Sequence, residues 1–80
     1  MYTVYAISSK TRNYIYVGMT NNLEERLFRH NNGYEKTTKP YAPFELLYTE
    51  KAEDGKKARE REKYFKSGVG KEYLKSLVRK

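Results

Sequence analysis

The sequence predicts an α+β domain with the element order β-β-α-β-α-α, and three observations carry that expectation. Residues 2–9 (YTVYAISS) and 14–19 (YIYVGM) alternate β-branched and aromatic types on either side of the polar break KTRN, as the strands of a hairpin do. Two later stretches set apolar residues at helical spacing behind residues suited to capping. A third apolar run, 44–51 (FELLYTEK), lies between those helices and reads as a strand with both faces partly apolar.

The two-residue period of a strand puts Thr3, Tyr5 and Ile7 on one face of the first strand and Tyr14, Tyr16 and the backbone of Gly18 on one face of the second. Tyr5 and Tyr16 are therefore expected to approach each other, in a register the sequence does not set. In TNNLEERLFRHNNG, Thr20, Asn21 or Asn22 caps a helix, Glu24 and Glu25 fill its first turn, and Gly33 ends it. At about 100° per residue, Leu23, Leu27 and His30 share a narrow arc with Arg26 at its border, and Phe28 falls outside it. Residues 31–43, with a glycine and two prolines, read as a long surface loop. Asp54 caps a second helix running to about Lys66, on which Ala58, Glu62 and Phe65 align. Gly68 and Gly70 then predict a break, followed by a short helix over 71–80 with Tyr73, Leu74, Leu77 and Val78 inward. With no repeat, linker or low-complexity segment, a single domain spanning 1–80 is expected.

Composition narrows the function. The absence of cysteine excludes a disulfide framework and a thiolate metal site, and suits a reducing compartment, the cytoplasm by default. No stretch approaches the roughly 20 apolar residues of a membrane span, and no basic segment followed by an apolar run opens the chain. Seventeen Lys and Arg against ten Asp and Glu leave a net charge of +7, which points to a polyanionic partner. Nine Tyr and three Phe supply rings that pack on one side and offer a polar tip on the other.

Arg26, His30 and Glu62 lie on inward or bordering helical faces, where an apolar core would not place them. Singly, each has a packing explanation: a local ion pair for Glu62, a satisfied core imidazole for His30, a snorkelling stem for Arg26. Strand aromatics such as Tyr5 and Tyr16 ordinarily pack. Together the five residues supply what phosphodiester hydrolysis requires. Arg26 offers a planar fork for a phosphate, Glu62 a carboxylate for one Mg²⁺ otherwise ligated by water, and Tyr5 a proton acceptor if a cation or a histidine-linked partner assists it. His30 is a candidate for that assistance.

These residues also resemble the GIY-YIG nuclease superfamily in its small stand-alone form. Thr3-Val4-Tyr5 and Tyr16-Val17-Gly18 stand where the family has its two tripeptides. Thr20, Asn22, Leu23, Arg26, Leu27, His30, Asn31 and Gly33 are similar to its first helix, and Ala58, Glu62 and Lys66 to a later one. The resemblance runs in order from about residue 2 to 66. It implies a small three-stranded antiparallel sheet flanked by helices, and a divalent-metal-dependent endonuclease hydrolysing DNA phosphodiester bonds in repair or processing. On that analogy Glu62 binds one Mg²⁺ or Mn²⁺, Tyr5 is the general base or water-positioning group, and Tyr16 lies at the reaction centre. Arg26 contacts the scissile phosphate, His30 assists the base, and Gly18 permits close packing beside them. The chain departs from the pattern at Thr3 and Val4, at Met19 where some members carry lysine, and in leaving no residues for a separate DNA-reading module. Two rival readings remain. One is a non-catalytic basic module binding DNA or RNA on the same fold; the other is a protein-interaction domain using Tyr34, Tyr41 and the 31–43 loop.

Overall fold

The computed structural model of the chain describes residues 1–78. Its elements are β1 (Tyr2–Ser9), β2 (Ile15–Thr20), α1 (Leu23–Asn31), a 3-10 turn (Lys39–Tyr41), β3 (Phe44–Ala52), α2 (Gly55–Lys66) and α3 (Gly68–Val78). The three strands form one antiparallel sheet in the order β2-β1-β3. This is the expected α+β architecture.

Because β1 is the central strand and both sheet faces are covered, every residue from Thr3 to Ser8 is buried. Alternation then divides the chain's apolar side chains into two groups. Val4 and Ala6, with Val17 and Ala52, pack against Ala58 and Phe65 of α2 and Leu74 of α3. On the opposite face, Tyr5, Ile7 and Phe44 pack with Leu23 and Leu27 of α1 and with Tyr41. Burying each large aliphatic or aromatic side chain contributes about 1.5–3 kcal/mol. The register pairs Tyr5 with Gly18 and Ile7 with Tyr16, so the two tyrosines are diagonal neighbours. Against β3 the pairing slips at Ala6/Ile7, which face Tyr48 and Leu46 respectively.

The helix ends follow the local chemistry. The Asn22 side chain accepts from the Glu25 N–H at 3.2 Å and caps α1, while Thr20 Oγ1 accepts from the Asn22 N–H at 3.0 Å. Gly33 takes φ +75°, the left-handed conformation that turns the chain away after α1. Asp54 accepts from the Lys57 N–H at 2.8 Å and caps α2.

The last helix corrects the expectation for this region. Gly68 and Gly70 do not form a break. Only Ser67 separates α2 from α3, and Gly70 lies buried within α3. A Cβ at Gly70 would stand 2.2 Å from the Tyr64 carbonyl oxygen and 2.7 Å from the Phe65 Cα, so the missing side chain is what lets α3 close on the end of α2. This contact turns Gly70, Leu74 and Leu77 inward. Tyr73 and Val78, expected inside, are 46% and 44% exposed. The final two residues of the expected 71–80 helix lie outside the described residues.

Candidate active site

On the α1 face of the sheet, Tyr5 and His30 meet in the interior, at 0% and 1% exposure. The Tyr5 hydroxyl lies 2.9 Å from His30 Nε2, and His30 Nδ1 lies 2.8 Å from Thr38 Oγ1. The Thr38 hydroxyl also reaches the Glu35 carbonyl at 3.5 Å, and toward a carbonyl it can only donate. We assign the Nδ1–H tautomer on that contact, with the Thr38 oxygen accepting from His30 Nδ1–H. Nε2 is left with a lone pair that takes the Tyr5 O–H.

Electrostatics agrees with that assignment. Burial lowers the His30 pKa below its ordinary value, and the Arg26 cation lowers it further, so the ring is neutral at pH 7. Burial pushes Tyr5 up to about 12 against the pull of Arg26, which keeps the phenol protonated at rest. For Arg26 itself, burial opposes the charge, but Tyr5, Glu35 and Tyr16 outweigh it and raise the pKa, so the guanidinium is a permanent cation. Among the described residues, its Nε is a buried side-chain polar atom with no hydrogen-bond partner. A donor in that condition costs about 1–3 kcal/mol, and an incoming anion would relieve it.

Tyr16 completes the cluster. Its ring lies 6.3 Å from Tyr5 and 5.0 Å from His30, centroid to centroid, and it stays half-buried where Tyr5 is enclosed. Gly18 makes this possible, since a Cβ there would fall 2.7 Å from the Tyr5 hydroxyl and 3.0 Å from the Tyr16 ring.

Glu62 stands apart from these four. It belongs to α2, on the other face of the sheet, where its carboxylate pairs with Lys66 at 3.2 Å. Lys66 shares a hollow with Tyr16 and Val17, which puts this flank of α2 at the β2 edge; Arg61 instead reaches Glu50 of β3. Among the described residues, no three His, Asp or Glu side chains gather into a ready-made metal cage. A lone, mostly buried carboxylate nevertheless suits Mg²⁺, which keeps most of its waters and takes further oxygens from a phosphate.

Thr38 escaped the sequence reading. It is 0% exposed in a segment expected to lie on the surface, and nothing in KTTKP distinguishes it from its neighbours. The aromatics of the proposed interaction patch have different neighbours: Tyr41 stacks on Tyr14 at 3.9 Å, and Tyr34 meets Phe28 edge-on at 5.9 Å.

A three-stranded antiparallel sheet thus brings paired tyrosines beside an arginine and a histidine from the next helix. The sequence profile of the GIY-YIG catalytic domain matches residues 1–75, and the chain belongs to that family. A UPF0213 protein of Clostridium perfringens (strain 13 / Type A) is 42% identical over 64 residues, an alignment covering 79% of this chain and 68% of the relative. No solved structure matches the chain. Membership implies nuclease-type chemistry on nucleic acid, and the family generally uses a divalent metal. No helix among the described residues is long and apolar enough to cross a membrane.

Proposed function

We propose that the chain is a divalent-metal-dependent endonuclease that hydrolyses DNA phosphodiester bonds, acting in DNA repair or processing. The observation carrying this reading is the unpartnered Arg26 Nε beside the Tyr5–His30 hydrogen bond: a permanent cation with an unsatisfied donor, next to a phenol whose proton has an acceptor. Arg26 takes the scissile phosphate through its planar fork. Tyr16, the accessible phenol, faces the reacting water and phosphate. Tyr5 is closed off from solvent, so its part is to hold Tyr16 in place while its O–H donates to His30 Nε2, and Thr38 fixes the imidazole tautomer. Glu62 is the residue that would hold one Mg²⁺ or Mn²⁺, which when bound supplies charge stabilisation for the phosphoryl oxygens.

The test is nicking of plasmid and branched DNA with Mg²⁺ and Mn²⁺, beside Glu62→Ala and Arg26→Ala. Each substitution is expected to lower turnover by about 10²–10³-fold, the range for removing one preorganised charge stabiliser. Variants that cut as well as the parent would refute the assignment, and would also expose a contaminating nuclease.

One observation favours a second reading, the non-catalytic nucleic-acid binder: Glu62 already has Lys66 as its partner. That reading requires salt-sensitive binding unaffected by Glu62→Ala, with no product at high protein concentration.

A further inference from the structure

We propose that a lysine-lined channel leading away from Tyr16 holds a single-stranded stretch of nucleic acid, with Tyr14 as a stacking platform. The inference rests on the nuclease reading above and adds the form of substrate its site would take.

Three adjoining hollows, of about 370, 350 and 230 Å³, run between β2 with its preceding loop and the α2–α3 pair. Ile15 borders all three, and neighbours among them share Tyr14, Asn13, Lys71 or Lys75, so they follow one another along β2 and α3. The first begins at Tyr16. Three lysines line the channel, Lys66, Lys71 and Lys75, and no carboxylate does, although the chain has ten. Lys71 and Lys75 are one helical turn apart on α3, about 6 Å along its axis, so their charges follow the channel. Among the described residues Lys71 has no ion-pair partner. Lys75 meets the exposed Glu72 at 3.6 Å, a contact of the surface kind worth about 0–1 kcal/mol.

Tyr14 lines two of the hollows, and its ring, which packs toward the α1 face of the sheet, is held from one side. Tyr41 stacks on it with an interplanar angle of 10°, and Arg12 lies over Tyr41 at 5.8 Å from the ring centroid. A held ring needs little further ordering when a base stacks on it. A basic groove that tracks a backbone, combined with an aromatic platform, is how proteins bind single strands without reading sequence. A duplex keeps its bases stacked inside and offers none to Tyr14, and it is too bulky to enter hollows of this size.

The test is fluorescence polarisation with a labelled oligo-dT and with a labelled duplex of equal length, in EDTA, over a range of salt. The wild-type chain is expected to bind the single strand about five-fold or more tightly than the duplex. Lys71→Ala/Lys75→Ala should weaken single-strand binding about ten-fold and flatten the log–log salt slope by about 1.4, at about 0.7 for each lost phosphate contact. Tyr14→Leu should weaken binding about ten-fold with the slope unchanged. Lys36→Ala/Lys56→Ala, equal in charge but remote from the channel, should stay within about two-fold. Equal affinity for duplex and single strand, or a channel double variant that behaves like the remote one, would overturn the proposal. Because no metal or turnover enters the measurement, the outcomes separate. A chain that cuts DNA but binds independently of Lys71 and Lys75 keeps the nuclease reading and loses the channel; one that shows the binding pattern and cuts nothing does the reverse.

Discussion

The two faces of the sheet are built from alternate residues of the same strand and have opposite characters. Val4 and Ala6 point into an apolar layer closed by Phe65 and Leu74, where each contact is non-directional. Tyr5, between them in sequence, points into a layer whose buried members include His30 and Thr38, joined by hydrogen bonds of 2.9 and 2.8 Å. One face is held by packing volume and the other by donor–acceptor matching. Losses among the apolar side chains of the first should therefore appear as stability alone. Losses on the second should separate stability from turnover.

The largest stability loss is expected on the apolar face. Phe65→Ala should cost about 3–5 kcal/mol through the cavity it leaves, measured by urea unfolding, with turnover per folded molecule unchanged. A comparable loss of turnover in the folded fraction would mean that the two faces are coupled. Arg26→Leu should do the opposite: it removes the unpartnered Nε together with the attraction to Tyr5 and Glu35, so stability changes by no more than about 1 kcal/mol. Its turnover nonetheless falls by about 10²–10³-fold. Gly18→Ala should affect both quantities, since the new methyl must displace Tyr5 or Tyr16, at about 1–3 kcal/mol for overpacking. Thr38→Val keeps the shape and deletes the acceptor for His30 Nδ1–H. About 1–3 kcal/mol of stability should go, and the His30 ring NMR signals should show mixed tautomers.

The mildest effect is that of pH. The folded pKa of His30 lies below its unfolded value near 6.5, so the unfolded chain binds the extra proton first. Stability should be level above about pH 6.5 and decline as the pH falls below it, with His30→Gln removing that component of the slope. For Tyr5 the sign reverses. Its folded pKa of about 12 exceeds the ordinary 10, so its contribution is complete below pH 10 and is lost as the pH rises toward 12.

Periodicity and capping chemistry made much of this legible in advance. Asp54 and the 44–51 run marked their elements correctly because caps and strand alternation are local properties. The closeness of Tyr5 and Tyr16 followed from alternation as well, whereas their diagonal offset depends on a register that only the completed sheet fixes. Gly70 was misread for a physical reason: a glycine that ends a helix and one that lets two helices touch are the same letter, and only the Tyr64 carbonyl at 2.2 Å from its absent Cβ distinguishes them. Tyr73 and Val78 were misplaced as a consequence, because that contact sets the rotation of α3. Thr38 was illegible because its burial depends on how a polar loop folds back over α1. Glu62 was singled out by its place on an inward stripe, yet the stripe could not reveal that its helix covers the face opposite Tyr5.

The enclosure of the Tyr5 phenol has a spectroscopic corollary. A hydroxyl hydrogen sealed from water and held by an imidazole nitrogen trades places with solvent slowly, so it should yield a discrete downfield resonance that the exposed phenols lack. That line would serve as a built-in gauge of whether the sheet stays shut, broadening whenever the interior opens.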